Sequence, residues 1–93
     1  MKTSVTHEPE LQRFVLQVNG TAAGHLDYVL DHSGVADFRH TVVAEEFRGK
    51  GLSGPLISGA LEYAREEGWR VRPTCPAVAG FVDKHPEFSA LLA

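Results

Sequence analysis

The spacing of apolar side chains changes near the middle of the chain, and this change decides which folds are open to it. Up to about residue 44 the apolar residues alternate with polar ones, as they do in half-buried strands. From Leu52 onwards they recur every three or four positions, as on one face of a helix. We therefore predict an α/β (α+β) chain in which three strands come first and the main helix follows.

The first half predicts three antiparallel strands, at about residues 11–18, 21–30 and 35–44. Asn19-Gly20 suits the two-residue turn of a hairpin, and a polar segment ending in Gly34 supplies the next turn. Strict alternation along the third strand places three side chains on one face: Phe38, His40 and Val42. Residues 1–10 are polar and show no periodicity, so we expect them to form a flexible lead-in.

The second half predicts a helix, a strand and a shorter helix. The helical spacing runs from Leu52 to Ala64, with Ser53 as a candidate cap and Gly68 just past the end. A strand follows at residues 69–75, and a short helix begins at Pro76 and ends before Pro86. Strand–helix–strand crossovers are right-handed and join parallel strands. The order βββαβα thus predicts a four-stranded, mostly antiparallel sheet with a parallel last pair.

Length, charge and cysteine content exclude several classes of function. The chain has 93 residues, which allows one domain, placed at residues 11–93. Its net charge of −3 disfavours nucleic acid and anionic membranes as partners. No stretch is typical of a signal peptide or membrane span, so we expect a soluble, cytoplasmic protein. Cys75 is the only cysteine and no histidines have metal-ligand spacing, so we expect neither a disulfide nor a bound metal.

The glycine-rich segment at residues 44–55, AEEFRGKGLSGP, lies between a predicted strand end and a predicted helix start. Glycines allow left-handed backbone conformations there, in which successive N–H groups converge on one anion. The helix N-terminus adds a partial positive charge, and Arg48 and Lys50 add full charges. The segment is either a phosphate-binding loop or a simple glycine turn with two solvated basic residues.

Three kinds of phosphate loop share this composition. A P-loop requires lysine directly after its last glycine, whereas Gly54 is followed by Pro55, which excludes that class. Residues 49–54 satisfy the dinucleotide pattern G-x-G-x-x-G, but no acidic residue stands near the end of the next strand to bind a ribose. The acyl-CoA pyrophosphate pattern, R/Q-x-x-G-x-G/A, is matched at its first four positions from Arg48, and Ser53 replaces its last small residue.

Four segments occur in an order and at a spacing that carry a family resemblance. They are His40-Thr41-Val42-Val43, Phe47 to Leu52, Thr74-Cys75, and Phe81 to Pro86. With them the sequence, over about residues 11–88, resembles the compact single-domain (YjdJ-like) branch of the GNAT superfamily of N-acetyltransferases. The resemblance implies a minimal GNAT-like fold and an N-acetyltransferase that moves an acetyl group from acetyl-CoA to an amine.

The resemblance also implies where coenzyme A binds. Loop N–H groups from Gly49 to Ser53 would hold the pyrophosphate, and the end of the third strand would pair with the pantetheine arm. A backbone N–H near Val42 would face the thioester oxygen, in a gap between the third and fourth predicted strands. The cofactor-binding residues implied are Val42, Val43, Ala44, Arg48, Gly49, Lys50, Gly51, Leu52 and Ser53.

Two side chains are candidates for the chemistry itself. His40, as a neutral imidazole, can take a proton from an attacking amine. Cys75, at a helix start, can protonate the departing thiolate or accept the acyl group. The alternatives are a packed histidine and an inert core cysteine, and no tyrosine is placed to act as general acid. We expect the other histidines before the loop to be surface residues: His7, His25 and His32.

The acceptor and the partners are the least constrained part of the prediction. GNAT enzymes usually build the acceptor pocket from helices between their first two strands, and here only Asn19-Gly20 joins the first two predicted strands. The acceptor, an amine or a protein, then meets a shallow site or one completed by a second subunit. We expect a monomer or weak homodimer, with Arg70 and Arg72 facing solvent or the adenosine 3′-phosphate. Two other hypotheses are a CoA-binding module without transferase activity and a nucleotide-binding protein.

Overall fold

A single sheet holds five strands, which lie side by side in chain order: β1 (Thr3–Glu8), β2 (Arg13–Val18), β3 (Thr21–Leu30), β4 (Val35–Val43) and β5 (Arg70–Arg72). The computed structural model describes residues 1–93. Neighbouring strands are antiparallel up to β4, and β4 and β5 are parallel. The crossover between them is α1 (Ser53–Glu67), and α2 (Pro76–Lys84) follows β5. The predicted mixed α/β class and the parallel last pair are confirmed.

The prediction of four strands is wrong, because part of the expected lead-in is a strand. Residues 3–8 form β1, which pairs with β2 along its whole length from Thr3 opposite Val18 to Glu8 opposite Arg13. Its sequence, TSVTHE, has one aliphatic residue, so it shows no apolar alternation. Val5 and His7 nevertheless face α1, and the outer face is polar, as befits an edge strand.

The turns follow the local sequence closely. Asn19 and Gly20 both have positive φ, 50° and 84°, which the two-residue hairpin turn requires. Gly68 ends α1 in the left-handed conformation, with φ 73°. The start of α1 differs from the prediction, because the cap position is Leu52 and Ser53 makes no capping hydrogen bond. No helix in the structure is both long enough and apolar enough to cross a membrane.

The core lies between one face of the sheet and the two α-helices. We call this face, with Phe14, Leu26 and Phe38, the covered face. Its helical partners are the apolar stripe that the sequence predicts in α1: Leu56, Ile57, Ala60, Leu61 and Ala64. The opposite face, here called the open face, carries the alternate side chains of the strands and no helix packs on it.

A β-bulge in β4 changes which side chains share a face. Asp27 of β3 pairs with His40, and the next residue, Tyr28, pairs with Phe38, so Arg39 is an extra residue in β4. His40 and Val42 therefore lie on the open face, whereas Phe38 lies in the core. The prediction that these three side chains share one face is wrong, because strict alternation does not hold across a bulge.

Candidate functional site

β4 and β5 pair over only three residues and then separate. The last pair in register is Asp37 with Arg72, and the Cys75 N–H donates to the Phe38 carbonyl at 2.9 Å. The chain then turns into α2, while β4 continues to Val43 with no strand beside it on that side. The structure thus contains the gap between strands that the resemblance implied.

Thr41 presents its backbone to this gap. The N–H of Ala44 donates to Ala23 in β3 at 2.8 Å, and by the alternation of an antiparallel ladder the N–H of Val42 also points towards β3. By the same alternation the N–H of Thr41 points the other way, into the gap on the side of Cys75. The N–H near Val42 that faces the gap is therefore that of Thr41, a residue not among the predicted site residues.

Cys75 lies at the cap position of α2, as predicted, and is only 6% exposed. Its Sγ lies 3.5 Å from the Thr41 hydroxyl oxygen. Burial raises the pKa of the thiol, but hydrogen bonds to the thiolate from the Thr41 hydroxyl and from the N–H groups of Val78, Ala77 and Thr41 lower it more. The pKa of the thiol is below its usual value, which favours a reactive sulfur over an inert one.

His40 borders the same gap from the other face of β4. Its side chain is exposed on the open face, next to Asp27 across the ladder. Thr41 and Cys75 lie on the covered side. The two predicted catalytic side chains are therefore not in one cluster, and they flank the end of the gap from opposite faces.

The glycine-rich loop leaves its backbone N–H groups without partners. Gly49 and Gly51 are both left-handed, with φ 81° and 70°, as their positions predicted. The N–H groups of residues 49–54 make no hydrogen bond within the protein. The first turn of α1 contains no acidic residue and no side-chain cap, so its N-terminal donors and partial positive charge are available to a ligand.

The basic side chains near the loop differ in their hydrogen-bond partners and in their exposure to solvent. Arg48 donates from Nε to the Val43 carbonyl at 3.0 Å, which joins the loop to the end of β4. Lys50 lies 5.9 Å above the Phe47 ring and is exposed to solvent. Arg70 donates to the Leu92 carbonyl and pairs with the first residue of β4, at the far end of that strand. Of the two alternatives left open for Arg70, its exposed place at the end of β4 remote from the loop favours solvent over the adenosine 3′-phosphate.

A groove between α1 and α2 extends the site and was not predicted from the sequence. Its volume is about 320 Å³, and it runs from Ser53 at the loop to Pro76 beside Cys75. Ile57, Gly80 and Phe81 line it between these ends, and Lys84 supplies a cation. The groove exists only because two helices pack side by side, so periodicity within either helix does not reveal it. The groove therefore adjoins the loop at Ser53 and the start of α2 at Pro76.

Comparison with known proteins agrees with this architecture. The family model of GCN5-related N-acetyltransferases matches residues 13–91. Protein NATD1 of Bos taurus is 30% identical over 83 residues, which are 88% of this chain and 74% of that protein. The Homo sapiens NATD1 is 28% identical over the same share of both chains.

Solved structures share the fold at low sequence identity. The solution structure of a GCN5-like protein from Staphylococcus aureus has a TM-score of 0.72 at 18% identity, covering 97% of this chain and 87% of that one. An aminoglycoside N-acetyltransferase, AAC(6′)-Iy in complex with CoA, has a TM-score of 0.52 at 22% identity, covering 82% and 64%. The family match spans most of the chain and confirms the resemblance. The chain therefore belongs to the family of GCN5-related N-acetyltransferases.

Proposed function

We propose that this chain binds acetyl-CoA along the loop, groove and gap and transfers the acetyl group to an amine. The observation that carries the proposal is the row of free backbone N–H groups at residues 49–54, placed beside the unpaired edge of β4. A related fold, that of AAC(6′)-Iy, is known in complex with CoA, which supports a CoA ligand here.

Each part of the surface has a role in this proposal. The loop N–H groups hold the pyrophosphate. The edge of β4 that no strand covers pairs with the amides of the pantetheine arm from Thr41 to the Val43 N–H, while the Val43 carbonyl keeps its hydrogen bond from Arg48. The exposed Lys84 side chain at the groove adds a positive charge for phosphate. While Cys75 keeps its proton, the Thr41 N–H at the gap is free to donate to the thioester oxygen as that oxygen gains negative charge, which is typically worth about 3 to 4 kcal/mol in the transition state.

The proton transfers fall to the two side chains that flank the gap. The amine nitrogen forms a bond to the acetyl carbon as the carbon–sulfur bond breaks. His40 takes the proton from the amine, and Cys75 gives its proton to the departing CoA sulfur. The lowered pKa of Cys75 suits it to this donation. Transfer through an acetyl-Cys75 thioester is the other route open to this thiol.

Calorimetric titration with CoA and acetyl-CoA tests the cofactor part of the proposal. A ligand present at one hundred times its dissociation constant raises the free energy of unfolding by about 2.7 kcal/mol, which shows as a higher melting temperature. NAD is the control ligand, because residues 49–54 also match the dinucleotide pattern. No heat and no shift in melting temperature with millimolar CoA would contradict the proposal, and a response to NAD alone would favour nucleotide binding.

A CoA-binding module without transferase activity is the second candidate. It is favoured by the connection between β1 and β2, where a single 3-10 turn at Pro9–Leu11 stands in place of any α-helix. Incubation with acetyl-CoA and a panel of amines, followed by detection of free thiol, separates the two candidates. Release of thiol that is lost in Cys75→Ala, with CoA binding retained, supports transfer; binding without release supports the module.

A further inference from the structure

The open face of the sheet carries two rows of side chains across β1 to β4, next to the gap. The first row runs Glu8, Arg13, Asp27, His40, and each is the register partner of the next. The second row, two residues further along each strand, runs Thr6, Val15, His25, Val42. Register partners point to the same face of a sheet, and rows two residues apart are separated by about 7 Å.

The second row borders a cavity of about 280 Å³. Its walls are largely apolar, from Val15, Ala22, Val42 and Ala44, and Arg13 and His25 lie at its polar side. Val15 is only 7% exposed although no helix covers it, so the curl of the sheet itself forms the hollow. The volume lies just below the range of drug-sized ligand sites, about 300 to 1,000 Å³, and so suits a small ligand.

The charge beside the cavity is negative where it adjoins His40. Arg13 is engaged by Glu8, with Nε 2.7 Å from the carboxylate. Asp27 keeps an exposed carboxylate, with 41% of the side chain accessible, and His25 lies 3.6 Å away. Asp27 lies in the first row, next to His40, and the apolar cavity lies at the second row. Its carboxylate can therefore pair with the ammonium group of a ligand whose apolar part occupies the cavity.

We propose that this cavity is the acceptor subsite and that it binds small primary amines. Their nitrogen lies about 7 Å from the end of an apolar group, because the two rows of side chains are that far apart. The inference rests on the proposed function, because it places the acceptor beside the thioester in the gap. The apolar group occupies the hollow between Val15 and Val42, the ammonium meets Asp27, and deprotonation by His40 then frees the nitrogen for attack.

Two linear amines with the same number of heavy atoms test the apolar part. Hexylamine fits the description, and 2-(2-aminoethoxy)ethanol replaces its apolar chain with a polar one. Without acetyl-CoA, hexylamine should shift the amide resonances of Ala22, His25 and Val42 in the NMR spectrum. With acetyl-CoA, its kcat/KM for thiol release should exceed that of the polar amine by roughly tenfold or more. Hexanoate, of opposite charge, should shift none of these resonances.

Substitution of Ala22 tests the location. Ala22 is exposed at the rim, so Ala22→Phe fills the hollow while the fold is retained. We expect the KM for hexylamine to rise roughly tenfold or more, since the pocket contacts are lost, with the KM for acetyl-CoA unchanged. Ala90→Phe, at an exposed position in the C-terminal 3-10 segment, is the matched control. Asp27→Asn should weaken hexylamine binding and make it less sensitive to salt.

The outcomes separate this inference from the proposed function. Equal turnover of the two amines, or an unchanged KM in Ala22→Phe, overturns the acceptor subsite while acetyl transfer stands. Amide shifts confined to other parts of the chain overturn it as well. Absence of any CoA response overturns the proposed function, and the hexylamine shifts then show independently whether the cavity binds amines.

Discussion

Gly59 is the residue through which α1 approaches β1 most closely. A Cβ atom at this position would lie 2.7 Å from Val5 Cγ2. Val5 is the one aliphatic residue of β1, and it packs against the core from the edge of the sheet. The missing side chain in α1 therefore allows Val5 to pack closely against the helix, in addition to the pairing of β1 with β2.

Gly59→Ala should lower the free energy of unfolding. Alanine favours the helix over glycine by about 1 kcal/mol, but overpacking against Val5 costs about 1 to 3 kcal/mol, which is expected to outweigh that gain. Val5→Ala removes the contacts at 2.7 and 3.3 Å and leaves only the Val5 Cβ, at 3.0 Å, so the double variant should be more stable than the sum of the two single changes predicts. We expect a coupling of about 1 kcal/mol or more in urea unfolding. Simple additivity would show that the contact does not restrict this position.

Thr41 should control the ionisation of Cys75. In Thr41→Val the hydroxyl is lost while the thiol stays buried, so the pKa of Cys75 should rise. Thr41→Ser keeps the hydroxyl and is the matched control. The rate of alkylation by iodoacetamide, followed against pH, should have its midpoint at a higher pH in Thr41→Val than in the wild type. The same midpoint in both variants would contradict a role for the hydroxyl.

At the scale of elements, the bulge in β4 determines which side chains of the strand face the candidate site. One extra residue, Arg39, turns His40 to the open face and Thr41 towards Cys75. The loop that follows depends on glycines with positive φ, where any other residue is strained. Strand edge, loop and helix start are thus set by short backbone irregularities.

Gly49→Ala should weaken CoA binding beyond its effect on stability. Alanine at the Gly49 φ of 81° costs about 1 kcal/mol of folding free energy. Gly20→Ala, at φ 84° in the turn between β2 and β3, costs about the same but lies outside the loop. No atom lies near the added Cβ in either case, so the pair is matched. Both variants should lose similar stability in urea unfolding, and only Gly49→Ala should raise the CoA dissociation constant in calorimetry. Equal CoA affinity would contradict a ligand role for the loop.

At the scale of the molecule, His7 connects β1 to the rest of the core, and the prediction that it is a surface residue is wrong. It is half-buried, its Nε2 lies 2.6 Å from the Tyr28 hydroxyl, and its ring stacks on Phe14 at 4.7 Å. Tyr63 of α1 packs on the same ring at 4.3 Å. Burial lowers the pKa of His7, and Glu67 opposes this only in part.

The stability of the whole domain should therefore fall as the pH falls below 6.5, the ordinary pKa of histidine. Between that value and the lower pKa in the folded state, the unfolded chain binds more protons, so acidification favours unfolding. Urea midpoints measured from about pH 8 to about pH 5 should show this slope. His7→Gln should flatten it, whereas His32→Gln, at an exposed turn, should not. An unchanged slope in His7→Gln would contradict this assignment.

The sequence by itself determined the features that depend on neighbouring residues. The hairpin turn at Asn19-Gly20, the left-handed glycines of the loop, the apolar stripe of α1 and the place of Cys75 at a helix start were all predicted. These follow from backbone sterics and from the periods of helix and strand, which act over a few residues.

Tertiary structure decided what depends on residues distant in sequence. β1 is a strand because it pairs with β2 along its whole length while Val5 packs on α1 at Gly59. Thr41 becomes part of the candidate site because Cys75 lies beside it where β4 and β5 separate. The bulge that exposes His40 reflects the register between β3 and β4, which no local pattern records. Such contacts form only when the sheet curls and the helices pack on it, so the candidate acceptor side of the site became visible in the structure alone.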